Sequence, residues 1–421
     1  MLLEATFHSF DPDGASRGQS DGQTVLSWGV LPGERARLRR LRRRGRDWLC
    51  LPEEILTPAQ GRIPPREDHY LSCSPWQVFD YPLQVHWKQK LLGELFPTCP
   101  EVTFYRAPQL WHYRNKMEFS FTEQHGRPVL AFHERWNPLG KMALPEGCAL
   151  GRSALNRAAQ AVAARLANRG VTAAQLKSLI VRCNRTEDTV VGAIYVTEPA
   201  FPAEDIHGPE LAGLAVIFSD PRSPASVTTR ELARFGTTLL RESVAGLPLE
   251  YDVGSFFQVY PEMFDCAVEE LQRRLGSAGR VVELYSGVGS IGLVLCRWAR
   301  QVVAIESDAH AVELARHNAE ALEAGNFLAV AGRAELAAEA YLAEADAVVL
   351  DPPRSGLHPH VVAALLRHGP PLILYLSCHP PRQARDVNLL APAYRVAAVV
   401  GFDFYPQTPH TESLVVLERA R

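Results

Sequence analysis

From about residue 260 the chain alternates short apolar runs with stretches of helical spacing. The runs are Val281–Tyr285, Val302–Glu306, Phe327–Val330, Ala347–Leu350, Leu372–Leu376, Val396–Val400 and Leu414–Leu417. Helical spacing falls between them at about 290–299, 308–323, 334–344, 359–368 and 381–390. Such alternation predicts an α/β fold, a parallel sheet with helices on both faces. No helical stretch separates the last two runs, so the final strand is expected to be antiparallel.

Upstream the pattern differs. In residues 1–57 Gly14, Gly18, Gly22 and Gly29 punctuate short apolar stretches such as Thr24 to Trp28, which predicts a five-stranded, OB-like barrel. Residues 58–70, with Pro58, Gly61, Pro64 and Pro65, read as a linker. The segment 58–250 is mixed α+β. Helical spacing covers Tyr81 to Phe96 and Ala154 to Ala167, and Leu179–Cys183 and Thr189–Val196 read as strands. Alternation from Trp111 to Phe121 predicts a half-exposed strand with Arg114, Lys116 and Glu118 on one face. Three units are expected: 1–57, 58–250 and 251–421.

Composition narrows the class. The 421 residues are 47% hydrophobic and 22% charged, as in soluble globular proteins. No apolar run reaches the roughly 18 residues a membrane span needs. The start, Met1-Leu2-Leu3-Glu4, lacks the features of a secretion signal, so a cytoplasmic location is expected. Eight scattered cysteines without a Cys-x-x-Cys pair argue against a disulfide framework and against a zinc site built from cysteine pairs. The net charge of −3 is small, but residues 35–46, including Arg39 and Arg40, hold many arginines and no acid. That strip points to nucleic-acid phosphates.

The chemistry concentrates at the ends of the apolar runs. Glu283 to Gly292 follows the first run and contains Gly287-x-Gly289-x-x-Gly292, and the second run ends in Glu306. A glycine loop followed about 20 residues later by an acid fits NAD or S-adenosylmethionine equally well. The fourth run ends in Asp351-Pro352-Pro353-Arg354, a rigid acidic loop that resembles enzymes methylating planar nitrogen rings and so favours the methyl donor. The fifth ends in Ser377-Cys378-His379-Pro380, and Glu412 opens the last. A thiol is a nucleophile that acts without a metal, and a carboxylate is a base.

Five segments together resemble the bacterial RNA 5-methyluridine methyltransferase family: Gly254 to Val259, Glu283 to Gly289, Asp351 to Gly356, Ser377 to Pro380 with Ala384-Arg385-Asp386, and Tyr405 to Glu412. The resemblance implies a class I, Rossmann-like methyltransferase domain, an N-terminal TRAM-type barrel and a central RNA-binding domain. It implies Cys378 as nucleophile and Glu412 as base, with S-adenosylmethionine and the target base held by Gln258, Tyr285, Gly287, Gly289, Glu306 and Asp351. Arg114, Lys116, Arg354, Arg39 and Arg40 would meet RNA. The barrel implies 23S ribosomal RNA as substrate, acted on by a monomer; a transfer RNA enzyme and a non-catalytic RNA-binding factor are the alternatives.

The sequence departs from the family in places. Leu71 and Ser74 stand where two ligands of an iron–sulfur cluster occur in many relatives, while Cys148 matches the fourth ligand position and Cys73 lies one residue off register, so the two are expected to lie close together as remnants. No cluster, and no other metal, is therefore expected. Tyr260, His379 and Ser286 differ from the usual residues, and Arg333 falls where an acid commonly holds the adenine.

Overall fold

A computed structural model describes residues 2–99, 102–223 and 225–420. The N-terminal strands Leu2–Phe10, Ser16–Ser20, Gln23–Ser27, Arg35–Arg44 and Asp47–Thr57 close into a barrel. Strand periodicity decides where the arginines go. Ala36 and Leu38 point into a core with Phe7, Val25 and Cys50, so Arg35, Arg37 and Arg39 point out.

Seven strands form the central sheet, in the order Arg230–Gly236, Gly213–Phe218, Val190–Val196, Leu176–Cys183, Lys116–Gln124, Arg127–Glu134 and Asn137–Ala143. The C-terminal sheet has eight, in the order Phe327–Ala331, Ala299–Glu306, Ala278–Leu284, Ala347–Leu350, Leu372–Ser377, Glu412–Arg419, Tyr394–Phe402 and Val102–Tyr105. Its first five strands are mutually parallel, and Glu412–Arg419 is antiparallel to both neighbours, as the missing helix implied. One apolar core joins the two sheets, including Phe119, Tyr251, Phe264, Leu374 and Leu414.

Several elements differ from expectation. The alternation from Trp111 does not start a strand. His112 has φ of 54°, and Arg114 makes only an isolated parallel bridge to Gly151, so regular pairing begins at Lys116. The helix expected at 290–299 shrinks to Gly292–Leu295. Helix Pro261–Leu275 and strand Val102–Tyr105 carry signals that periodicity alone did not separate from their surroundings. The stretch 58–70 is not a loose linker: Arg62 is ion-paired with the fully buried Glu34, and its guanidinium also donates to the Gly29 carbonyl at 2.7 Å.

Helix Tyr81–Leu95 ties the parts together. Asp80 caps it by accepting from the Leu83 N–H, and Pro82 suits its first turn. From it Lys88 Nζ meets Asp403 Oδ1 at 2.6 Å, with both side chains fully buried, and also donates to the Tyr405 carbonyl. Gln84 donates to the Trp76 and Phe79 carbonyls and to Gln407 Oε1, while accepting from the Gln407 N–H. The loop 403–411 is thereby fixed to a helix from the other end of the chain. The barrel docks on the same helix, with Phe10 against Trp76 and Trp87 at centroid distances of 4.7 and 5.2 Å.

Breaking one half of a buried ion pair strands a charge. Asp403→Ala is expected to lower unfolding free energy by about 3–5 kcal/mol in urea titration, and Lys88→Met with Asp403→Leu together by much less. Equal losses for the single and double variants would show that packing, not charge pairing, holds this loop.

Candidate active site

In a parallel sheet all strand C-termini share one edge. Here that edge gathers Glu283, Glu306, Asp351 and Cys378. After the strand Ala278–Leu284 the chain turns sharply. Tyr285 takes φ of 66°, a strained conformation for a residue with a side chain, and Gly287 takes 54°. The Gly287 N–H donates to Glu306 Oε2 at 3.0 Å, while Glu306 Oε1 accepts from the Ser307 and Asp308 N–H groups at 2.6 and 2.9 Å. A Cβ at Gly287 would meet nothing within 4 Å, so the loop backbone there is open to a ligand. Gly289 is closed instead: a Cβ there would press on Phe327.

Beside this loop is a cavity of about 410 Å³ lined by Tyr285, Ile305, Ser307, Gly332, Arg333, Ala334 and Glu335. Arg333 is ion-paired with Glu335. An acid does reach this cavity, two positions beyond the place the family pattern gives it. Glu283, fully buried, accepts from the Gly292 N–H at 3.0 Å, and burial with the nearby Asp351 and Glu306 charges pushes its carboxyl well up. Gln258 Nε2 donates to Asp351 Oδ2 at 3.3 Å. Burial pushes the Asp351 carboxyl up, and the Gln258 hydrogen bond partly opposes this. Glu283 opens the glycine-loop segment that the sequence marks, without a role of its own there, and Glu335 is marked only by its place after Gly332. An open glycine turn, a ribose-sized acid site at Glu306 and a neighbouring cavity fit an adenosyl cofactor.

The nucleophile and base candidates meet through strand pairing. Ser377 pairs with Ser413 across the antiparallel ladder, which places Cys378 and Glu412 at the same edge. Cys378 is half-buried and lines a cavity of about 520 Å³ together with Arg354, His379, His410, Lys88 and the barrel residues Phe10, Trp28 and Arg42. Helix Pro380–Leu390 begins just beyond it, with His379 as cap. Burial pushes the Cys378 thiol up to about 11, helped by the Glu412 charge and opposed by the Arg354 guanidinium. Burial thus outweighs the arginine, and the thiol is held protonated at neutral pH.

Glu412 is fully buried and neither of its carboxylate oxygens has a hydrogen-bond partner. Burial and the Asp351 charge push its carboxyl well up, against the effect of Arg354. An orphaned buried carboxyl costs folding free energy, which marks it as a group kept for a ligand. His410 is pushed down to about 3 by burial and by Arg354, so it is neutral at physiological pH.

The RNA-contact candidates separate. Arg354 is exposed at the cavity. Arg114 interacts electrostatically with Tyr405 and Cys148, and its Nε lies 3.4 Å from the Tyr113 hydroxyl. Lys116 instead sits beside Arg182 and Glu118, where burial and the Arg182 charge push its amine down to about 8. The two do not share one face. On the barrel, neighbouring strands supply the acids that the arginine strip lacks. Arg35 and Arg37 pair with Glu4, Arg37 also with Glu54, Arg39 with Glu53, and Arg44 with Asp11 and Asp13. Arg40 and Arg43 lie over the Trp48 ring at 5.1 and 4.6 Å.

Residues 254–420 match the family model described as tRNA (Uracil-5-)-methyltransferase. An uncharacterized RNA methyltransferase of Bacteroides thetaiotaomicron is 30% identical over 404 residues, covering 85% of this chain and 88% of its own. The tRNA (uracil(54)-C(5))-methyltransferase of Pyrococcus abyssi is 26% identical, covering 94% of this chain and 97% of its own. A crystal structure of the Pyrococcus abyssi tRNA (uracil-54, C5)-methyltransferase with S-adenosyl-L-homocysteine superposes with a TM-score of 0.75 at 22% identity, over 99% of this chain and 100% of that one. Among the described residues no helix is long and apolar enough to cross a membrane. With residues 254–420 matching that family model and a 30% identical relative aligned over 85% of its length, this chain belongs to the S-adenosylmethionine-dependent RNA (uracil-C5) methyltransferase family.

Proposed function

We propose that the enzyme methylates carbon 5 of an unpaired uridine through a covalent Cys378 adduct, and that its substrate is 23S ribosomal RNA. The observation that carries the chemistry is the strand register that sets a thiol lining a cavity beside an orphaned, fully buried carboxyl. Uracil carbon 5 is a poor nucleophile. Cys378 Sγ, having released its proton to solvent, adds to carbon 6, and the electron pair moves to the carbonyl at carbon 4 as an enolate. Carbon 5 is then nucleophilic and would bond to the methyl carbon as the methyl–sulfonium bond of the donor breaks, its electron pair staying on the donor's sulfur. Glu412 takes the proton from carbon 5, the carbon 6–sulfur bond breaks, and the thiolate is restored.

When bound, S-adenosylmethionine supplies an electrophilic methyl group and a positive charge. Glu306 would accept from its ribose, the cavity beside Tyr285 and Glu335 would take its adenine, and Gln258 with Asp351 would border the target base. A cation in this cleft favours the ionised forms of Asp351 and Glu412, which burial alone opposes. Arg354, at the cavity mouth, lowers the thiol pKa and would face the enolate or a phosphate. The target must leave its stack to reach Cys378.

Assignment to ribosomal RNA rests on the barrel typical of that branch. Transfer RNA is the second reading, favoured by the Pyrococcus abyssi enzyme, whose structure spans nearly the whole of this chain, barrel included. Methyl mapping of both RNA pools from a deletion strain decides: loss of a mark in 23S RNA supports the first, loss in transfer RNA the second.

RNA carrying 5-fluorouridine at the target is expected to form a denaturation-resistant adduct with the wild-type enzyme and none with Cys378→Ala, whose RNA affinity stays within a few-fold. Glu412→Gln should accumulate the methylated adduct; free turnover by that variant refutes the assigned base. Alkylation of the Cys378 peptide, followed by mass spectrometry, should rise roughly tenfold per pH unit through neutrality, because the thiol ionises only near 11. Arg354→Met removes a group that lowers this pKa, so alkylation at fixed pH slows further. A plateau below pH 8 would contradict both statements. Arg42→Gln with Arg43→Gln should reduce the log–log salt slope of RNA binding by roughly 0.7 for each phosphate no longer neutralised; an unchanged slope would exclude those arginines from the interface.

A further inference from the structure

Away from the catalytic cavity, four metal-binding side chains converge. Glu67, His69 and Cys73 come from the turn and short helix after the barrel, and Cys148 comes from the loop before helix Ser153–Asn168. One ligand atom from each lies within 4.8 Å of all the others. The two Sγ atoms are 3.9 Å apart. Two thiolates on one tetrahedral zinc, with Zn–S bonds of ~2.3 Å, sit about 3.8 Å apart. The thiol–thiol hydrogen bond thus already holds the two sulfurs at the spacing a shared ion requires.

The other donors point the same way. His69 is about nine-tenths buried, its Nε2 lies 3.3 Å from Glu67 Oε1, and its ring interacts with the Cys73 thiol. A buried imidazole facing both a carboxylate and a thiol stands where a metal ligand would. Glu67 is oriented by its surroundings: Oε1 accepts from the Ala149 N–H at 2.5 Å and Oε2 from Gln77 Nε2 at 3.0 Å. Such outer contacts hold ligands in place at metal centres. The Cys148 loop is equally fixed, since Asn156 accepts from the Cys148 N–H and donates to the Cys148 carbonyl, both at 3.0 Å. Arg135 and Arg114 lie close enough to the sulfurs to balance two thiolates electrostatically.

A four-iron cluster, which many relatives hold near this position, needs four thiolates. Cys73 and Cys148 are the two cysteines of this group, and a histidine and a carboxylate complete it, so these residues do not fit a cluster. A disulfide would use neither His69 nor Glu67. We propose that Glu67, His69, Cys73 and Cys148 bind a single zinc ion, contrary to the sequence expectation of no metal. The ion would staple the segment after the barrel to the loop 147–151. That loop holds the Arg114 backbone, whose N–H donates to the Leu150 carbonyl at 3.0 Å and whose carbonyl accepts from the Arg152 N–H at 3.0 Å. The inference is independent of the substrate assignment and of the covalent mechanism.

The test uses the full-length protein purified under reducing conditions without chelator. Elemental analysis is expected to give one zinc per chain. Cobalt added to the zinc-stripped protein should produce a thiolate-to-cobalt charge-transfer band and the visible bands of a tetrahedral centre. Cys73→Ser, Cys148→Ser and His69→Gln should each weaken cobalt binding at least a hundredfold, while Cys266→Ser should leave it unchanged. Circular dichroism shows whether each variant is folded; should one not fold, the wild-type cobalt spectrum and zinc content still decide. No charge-transfer band in the wild-type protein, bound iron with sulfide, a Cys73–Cys148 disulfide as the purified state, or folded ligand variants that keep wild-type affinity would each overturn the proposal.

Discussion

The site depends on one antiparallel pairing. Cys378 follows the end of a strand that runs toward the cofactor edge, and Glu412 opens a strand that runs away from it. A strand parallel to its neighbours would carry its first residue to the opposite edge, a full strand length from the thiol. Reversing direction brings the chain back to the same edge, and the Ser377–Ser413 register sets the two groups side by side. The reversal requires a connection that turns without a helix, which the loop 403–411 provides. That loop is held by the buried Lys88–Asp403 pair and by Gln84, so the placement of Cys378 beside Glu412 relies on a helix more than three hundred residues away in sequence.

Burial then sets the electrostatics. Burial raises the carboxyl pKa of Glu283, Asp351 and Glu412 at one sheet edge, and the Asp351 charge raises Glu283 and Glu412 further. With the thiol also raised, the protein alone leaves these groups biased toward their neutral forms. Arg354 is the cation that opposes this trend at Cys378 and Glu412. Positive charge brought by a ligand therefore has unusual leverage on protonation here, because the local carboxyls are poorly solvated.

Sequence made the catalytic half readable because its signals are local. The glycine turn after Leu284, the acid ending at Glu306, the Asp351-Pro352-Pro353 loop and the Cys378 strand end each lie within a few residues, and strand–helix alternation supplied the frame. What escaped depends on contacts between distant segments. Nothing near Lys88 announces Asp403, and nothing near residue 102 shows that Val102–Tyr105 pairs with Tyr394–Phe402. The strand expected from Trp111 failed because His112 and Arg114 are bound to the loop around Gly151, a tertiary constraint that alternation cannot register. In the sequence Cys73 and Cys148 read as remnants of a cluster's ligand set, and Glu67 and His69 do not stand out because they are not cysteines.

The neutralised arginine strip has a consequence for selectivity. A bare row of guanidinium groups would hold any polyanion. On this barrel Arg35, Arg37, Arg39 and Arg44 are already engaged by carboxylates, so a phosphate must compete for them rather than simply arrive. If RNA meets this barrel, as proposed, a strand whose backbone replaces several such partners at once would gain more than one that touches a single arginine.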